Sequence, residues 1–270
     1  MKTSGLVFLF LFSLLTGGCA STGGNPADPW EGVNRKVFVF NDKVDTYALK
    51  PVAQGYKAAT PLPVRTTISN FFGNVEDLWI GVNNLLQGKP KDGAGDFGRF
   101  AVNSTIGILG FFDIASEFGL EKHDEDFGQT LGSWGVGSGP YMVLPLFGPS
   151  TVRDTGGLIV DRLAYNPNSL IPRVAVRNSL TGTKLVNTRS QYLGAENALD
   201  EASLDKYVFM RNFYLQRRRS QIFDGNPPRE KEDFGLAPGM PVQSLGALDQ
   251  PGLFDLVLVD VQTQAPVDSE

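Results

Sequence analysis

The chain has 270 residues, 41% of them hydrophobic, one cysteine, one histidine and a formal net charge of −5. That length and apolar content suffice for a sizeable core in one domain or two small ones. The acidic balance argues against a nucleic-acid partner, whose phosphates demand a basic surface, and a lone thiol rules out an intrachain disulfide framework.

The first element, Leu6 to Leu15, is an apolar stretch behind Lys2. It is far shorter than the roughly 18 residues a membrane-spanning helix needs, and has signal-peptide length. It leads into Leu14-Leu15-Thr16-Gly17-Gly18-Cys19. Small residues before a cysteine resemble the lipobox of bacterial lipoproteins, where the thiol receives a diacylglyceryl group and the preceding segment is removed. Thr16 stands where that motif most often has Leu. Residues 1–18 therefore read as a lipoprotein signal peptide and Cys19 as the lipidated first residue. The alternative is ordinary secretion with an incidental buried thiol. If Cys19 is acylated, no thiol remains for a disulfide or a thiolate metal site. Small, polar residues follow, and 19–27 read as a flexible tether.

The next element opens with Asp28-Pro29-Trp30-Glu31, which reads as N-cap, first helical proline and the Glu of a capping box. Trp30, Val33, Val37, Phe40, Val44 and Tyr47 recur at helical spacing as one apolar stripe, and Pro51 is expected to end the helix. A second helix runs from Pro63 to Leu86 with a wide apolar face and closes at Gln87-Gly88-Lys89-Pro90. A third covers Asp96 to Ile108 and passes into Gly107-Ile108-Leu109-Gly110-Phe111-Phe112. Short Gly- and Pro-rich pieces fill Asp126 to Pro149. Helical periodicity returns at Val152–Leu163, less clearly between Val174 and Leu199, and strongly from Leu204 to Ile222. The fold class is mainly α. Residues 224–270 read as a mostly disordered tail, except for Leu253–Val259, apolar and β-branched enough for a strand or a docked extended segment.

Catalytic constellations are sparse. His123 lies in Glu121-Lys122-His123-Asp124-Glu125-Asp126, which reads as a solvated charged loop, and no Gly-x-Ser-x-Gly elbow exists to pair with it. The same cluster fits no EF-hand spacing, so no metal is expected. Gly93-Ala94-Gly95-Asp96-Phe97-Gly98 matches a dinucleotide fingerprint letter for letter, but it follows a loop instead of a buried strand. Arg217-Arg218-Arg219 suits the end of a helix, where cations complement the dipole; lipid-headgroup contact is the minority reading. Gly135, Gly137 and Gly139 alternate ahead of Pro140 and serve either a hinge or tight turns between packed helices.

Asn25-Pro26-x-Asp28-Pro29-x-Glu31-x-x-Asn34-Arg35-x-x-Phe38-x-Phe40-Asn41, Pro63-Val64-Arg65, Asn70-Phe71-Phe72-x-Asn74, Asn83-x-Leu85-Leu86-Gln87-Gly88 and Arg99-Phe100-x-x-Asn103-Ser104-Thr105-x-Gly107 together resemble the MlaA/VacJ family of lipoproteins. Asp126-Phe127-Gly128-Gln129-Thr130-Leu131-Gly132, Gly135-Val136-Gly137-x-Gly139-Pro140-Tyr141, Leu144-Pro145 and Arg153-Asp154-x-x-Gly157 continue the match, which spans roughly residues 25 to 223. The resemblance implies a helical domain over 28–223, built as a ring-like assembly of amphipathic helices in the inner leaflet of a Gram-negative outer membrane. It would be lipid-anchored on the periplasmic side. Such a protein associates with trimeric porins, takes mislocalised phospholipid from the outer leaflet through a polar-lined channel, and passes it to a soluble periplasmic carrier. Lipid asymmetry is thereby maintained without a cofactor and without enzymatic chemistry.

Position by position, the resemblance makes Gly135, Gly137, Gly139, Pro140 and Tyr141 a mobile loop controlling the channel. Phe40 and Asn41 would set its resting state, and Arg153 and Asp154 would line or brace it. The alternatives are a scaffold lipoprotein that binds porins without conducting lipid and, lacking a visible triad, a phospholipid hydrolase.

Overall fold

The computed structural model describes residues 25–165, 172–194 and 205–228. Cys19, the signal-like segment and Leu253–Val259 lie outside the described residues. The elements are helical except for one hairpin. α1 (Glu31–Val44) continues through a π turn (Asp45–Leu49) into α2 (Lys50–Ala59), followed by α3 (Leu62–Leu86), α4 (Pro90–Thr105) and the short α5 (Ile114–Glu117). α6 (Phe127–Ser133) leads to β1 (Tyr141–Leu144) and β2 (Gly148–Thr151), and α7 (Val152–Ala164), α8 (Val174–Gln191) and α9 (Lys206–Ile222) complete the set. The two strands are antiparallel, with Tyr141 opposite Thr151 and Leu144 opposite Gly148.

Two expectations about the first helix need correction. Pro51 does not end it but sits in the first turn of α2. The Lys50 amide reaches Asp45 O across the wider π turn, and this carries the chain past a residue with no amide hydrogen. Nor is there a capping box: α1 starts at Glu31 without a side-chain cap. Asp28 is 1% exposed and turned inward, where it accepts from Asn34 Nδ2 at 2.8 Å, Tyr207 Oη at 2.5 Å and Arg211 Nη1 at 3.0 Å.

The long second helix is as expected, with Pro63 in the first turn of α3 and Gly88 (φ +79°) just past its end. Pro90–Asp92, read as loop, is the first turn of α4. The Gly93–Gly98 run is therefore helical and forms no phosphate-cradling turn. Its first glycine serves packing instead. A Cβ on Gly93 would stand 2.9 Å from Gly81 O, and one on Gly81 3.2 Å from Gly93 O, so α3 and α4 meet backbone to backbone.

The polarity of the described residues is inverted. Six apolar residues are buried against nineteen polar or charged ones, while thirty large hydrophobic side chains are exposed. In the expected stripe on α1, Trp30, Val33, Phe40 and Tyr47 all face outward; only part of that face packs, through Val37 against Tyr141, Val143 and Tyr207. α3 likewise buries Asn74, Asp77, Asn83 and Asn84. A water-soluble domain keeps exposed apolar patches small, so this exterior suits a lipid environment. No described helix is long and apolar enough to cross a membrane. Amphipathic helices in the plane of an interface meet both conditions.

Burying so many polar groups requires that they satisfy one another. Arg99, 1% exposed, donates to Asp113 at 2.8 and 2.9 Å and to Ser116 at 3.1 Å. Asp77 pairs with Lys122. His123 is not free in a solvated loop: its Nδ1 lies 2.8 Å from Asp96 Oδ1, and the fully buried Asp96 also accepts from Asn84 Nδ2 at 2.7 Å.

Candidate functional site: hairpin, glycine segment and ion-paired groove

The site is assembled around the β hairpin. Asn34 and Asn41 project from α1 onto β1 and the turn after it and hold that backbone through their side-chain amides. Asn34 Nδ2 donates to Tyr141 O at 3.1 Å and its Oδ1 accepts from Val143 N at 3.0 Å. Asn41 Nδ2 donates to Leu144 O at 2.9 Å and its Oδ1 accepts from Leu146 N at 2.8 Å. The two amides take the place of a neighbouring strand along this edge. Phe40, beside Asn41, points outward and is 49% exposed. Tyr141 is fully buried; its amide donates to Ala27 O at 2.8 Å, and its hydroxyl has no hydrogen-bond partner among the described residues. Burial pushes that phenol up to about 12, with the Asp28 carboxylate adding to the shift.

The glycine segment leads from α6 into this hairpin. Gly135 (φ +88°) and Gly139 (φ +65°) occupy left-handed conformations that favour glycine. Nothing lies within 4 Å of a Cβ placed on Gly135 or Gly137. Backbone hydrogen bonds tie the segment on both sides of Gly137: Gly135 N bonds Gly132 O at 2.9 Å and Val136 N bonds Leu131 O at 2.9 Å before it, and Arg153 N bonds Ser138 O at 3.1 Å and Val152 N bonds Pro140 O at 3.2 Å after it.

Behind the hairpin a groove of about 350 Å³ has a mixed wall, with Leu144, Phe147, Pro149 and Leu158 beside Asp126, Asp154, Asp161, Arg162 and Arg218. Its charged wall is ordered by Arg218. Far from capping a dipole at the surface, this guanidinium turns inward and bridges α6 to α7, donating to Asp126 at 2.6 and 2.9 Å and to Asp154 at 3.2 and 3.0 Å. Arg153 donates twice to Asp154, at 2.9 and 2.8 Å, and Tyr214 Oη donates to it at 2.8 Å. Burial alone would raise the Asp154 carboxyl, but Arg218 and Arg153 outweigh it and hold the group below its ordinary value. Arg153 and Asp154 thus form an internal brace, with Asp154 also on the groove wall. α7 starts here because Thr151 caps it, accepting from Asp154 N at 3.1 Å.

Similarity to known proteins follows this architecture. The model of the family described as MlaA lipoprotein matches residues 26–221. The chain belongs to the MlaA lipoprotein family. It is 39% identical over 218 residues to the intermembrane phospholipid transport system lipoprotein MlaA of Escherichia coli K12, covering 77% of this chain and 85% of that protein. The Shigella flexneri protein of the same name matches at the same identity and coverage. The Haemophilus influenzae MlaA is 30% identical over 243 residues, covering 86% of this chain and 96% of its own. A solved structure that addresses the maintenance of bacterial outer membrane lipid asymmetry superposes with a TM-score of 0.63 at 37% identity, covering 74% of this chain and 99% of its own.

Of the residues the MlaA resemblance singled out, Asn41, Pro140 and Tyr141 meet at the hairpin, the glycines lie just ahead of it, and Arg153 with Asp154 brace the helix behind it. Sequence reading missed Asn34 as the partner of Asn41, Asp28 as a buried anchor, and Arg218, Asp161 and Arg162 as groove residues. The seven-residue spacing of Asn34 and Asn41, two helical turns on one face, was the available signal for the first. Partners of Asp28 such as Tyr207 and Arg211 are too distant in sequence to leave a local one.

Proposed function

We propose that this protein moves phospholipid between membranes as a non-enzymatic component at the outer membrane, helping to keep that membrane's lipid asymmetry. The inverted polarity carries the reading: an apolar exterior suits immersion among acyl chains, and a paired polar interior beside a mixed groove suits passage of an amphipathic cargo. Membership of the MlaA family supports the same reading, since its named relatives are intermembrane phospholipid transport lipoproteins. The ring-like arrangement, anchorage through an acylated Cys19 on the periplasmic side, association with a trimeric porin and delivery to a soluble periplasmic carrier belong to this proposal through the family resemblance. Among the described residues no His, Cys, Asp and Glu cluster could hold a metal ion, and no step of the proposed transfer needs one.

The test is deletion of the gene, followed by labelling of outer-leaflet phosphatidylethanolamine in whole cells with a membrane-impermeant amine reagent. The expected result is increased labelling, reversed by the wild-type gene. Unchanged labelling in the deletion strain would refute transport. If porin association survived in that case, the scaffold alternative would take its place.

A further inference from the structure

The charges around the groove do not all cancel. Asp126, Asp154, Arg153 and Arg218 are spent on one another through the contacts described above. Two neighbours on α7 are left over. Asp161 Oδ1 accepts only neutral donors, the Trp79 indole at 2.7 Å and the Phe127 amide at 3.0 Å, and no cation among the described residues forms an ion pair with its carboxylate. Arg162 has neither a carboxylate nor a hydrogen-bond acceptor among the described residues. Its guanidinium carbon lies 4.6 Å from the centre of the Phe147 ring, which holds the cation at the groove wall by a cation–π contact. Both residues border the groove, as do the apolar side chains of Leu144, Phe147 and Leu158.

We infer that Asp161 and Arg162 form a headgroup subsite for a zwitterionic aminophospholipid, with the phosphodiester on Arg162 and the primary ammonium on Asp161. This rests on the transport reading above. A guanidinium offers paired N–H donors that match two phosphate oxygens. A primary ammonium carries three donors and no acceptor, which suits a carboxylate whose second oxygen is unengaged. The glycerol and the first acyl carbons then meet Leu144, Phe147 and Leu158. A headgroup that carries phosphate but no amine satisfies Arg162 and leaves Asp161 unpaired in a partly desolvated wall, which costs binding free energy. The subsite therefore grips any phospholipid through Arg162 and discriminates among them through Asp161.

The experiment uses the full-length protein isolated from membranes, equilibrated with vesicles of equal parts phosphatidylethanolamine and phosphatidylglycerol and repurified. Retained lipid is quantified by mass spectrometry. Wild-type protein is expected to enrich phosphatidylethanolamine. Arg162→Gln should lower total retained phospholipid about tenfold, the worth of one charge-assisted contact, with partial recovery in Arg162→Lys. Asp161→Asn keeps an oxygen acceptor for Trp79 and Phe127, so the fold is preserved. It should bring the lipid ratio to that of the vesicles while total retention holds. If wild type retains lipid and either variant matches it in both amount and ratio, the subsite is overturned and transport stands. If wild type retains no phospholipid, the transport reading fails and the subsite with it.

Discussion

Asn34 and Asn41 stand seven residues apart on α1 and hold β1 and the turn that follows it, Asn34 gripping Tyr141 and Val143 within the strand, Asn41 gripping Leu144 at its end and Leu146 in the turn. The spacings match. Seven residues of helix rise roughly 10.5 Å, and the three-residue advance from the Tyr141 carbonyl to the Leu144 carbonyl covers roughly 10 Å of strand. A rigid helix is thereby keyed to the hairpin that follows the glycine segment, so a shift of α1 must either carry the hairpin with it or break four hydrogen bonds. Removing an amide strands its backbone partners, at about 1–3 kcal/mol per buried unsatisfied group. Asn34→Ala, at a buried position, should lower thermal stability more than Asn41→Ala. Hydrogen exchange separates the two: Asn41→Ala should deprotect the Leu146 amide, and Asn34→Ala the Val143 amide. Unchanged protection at both would mean that the clamp does not hold the strand.

Arg218 and Arg217 are neighbours with opposite energetic weight. Arg218→Ala removes the cation shared by Asp126 and Asp154; Asp154 keeps Arg153 and Tyr214, and Asp126 is part-exposed, so the loss should be that of charge-assisted hydrogen bonds, about 1.5–3 kcal/mol. Arg217 pairs with Asp124 at 3.4 Å where both side chains are more than half exposed, so Arg217→Ala should cost under about 1 kcal/mol. Chemical denaturation in detergent reads both. Equal losses would show that Arg218 is not the bridge between α6 and α7.

These two arginines also show where sequence reading stops. Helix boundaries were legible where local chemistry sets them, as at Pro63 and Gly88 for α3. Burial was not, because periodicity identifies a helix face without saying which solvent it meets. The stripe of Trp30, Val33, Phe40 and Tyr47 is apolar, as a core-facing stripe would be, yet it faces outward. Arg217-Arg218-Arg219 looks uniform as a run, but only the helix phase against α6 and α7 turns Arg218 inward. Asp28 imitates a cap because Asp-Pro-x-Glu is a local motif, while its true partners Tyr207 and Arg211 arrive from α9. At the site, the MlaA-like motifs marked Asn41, Pro140, Tyr141, Arg153 and Asp154, whereas Asp161 and Arg162 emerge only once the charges on the groove wall are paired off in space.

Acid should loosen the turn around α5. Burial would raise the Asp113 carboxyl, but hydrogen bonds from Ser116, Asn103 and Arg99, together with the Arg99 charge, bring it down to about 2 from an ordinary 3.8. A carboxyl depressed on folding contributes stability above its unfolded value and loses it as pH falls through the folded one. Thermal stability should therefore decline between about pH 4 and pH 2, and Asp113→Asn should flatten that part of the profile while lowering stability at neutral pH. An unaltered acid limb in Asp113→Asn would assign the decline to other carboxylates.

Gly137 and Gly157 differ in the space around them, and on the proposed function only Gly137 would be a hinge. A Cβ on Gly157 would lie 2.4 Å from the Gly128 amide nitrogen, so Gly157→Ala forces α6 and α7 apart, at a typical overpacking cost of about 1–3 kcal/mol. Gly137 has open space around it, and Gly137→Val should leave the melting temperature and helix content within error. On the proposed function, its stiffer backbone should still reduce phospholipid transfer. A circular-dichroism loss of fold in Gly137→Val would make that glycine structural and remove it from the gating role.

The loop between α4 and α5 holds two large apolar side chains in an unfavourable conformation. Ile108 and Leu109 have φ of +54° and +57°, and both are more than half exposed. For an L-residue with a Cβ the left-handed region costs about 1–2 kcal/mol. The loop is held there by neighbours: Gly110 N bonds Asn103 O at 2.8 Å, Phe112 N bonds Gly107 O at 2.9 Å, and Asn70 Nδ2 donates to Phe111 O at 3.2 Å. Strain at an exposed tip persists only where surrounding structure enforces it, and here its product is an outward pair of aliphatic side chains with Phe111 and Phe112 beside them. Asparagine tolerates this conformation with less penalty, so Ile108→Asn should raise unfolding stability in detergent by about 1 kcal/mol. The same change removes a large apolar side chain from the exterior, and it should weaken co-sedimentation with phospholipid vesicles. Both measurements moving in these opposite directions would tie the strain to membrane contact; a variant that loses stability in detergent, or binds vesicles as tightly as wild type, would show that the strained tip is not kept for lipid.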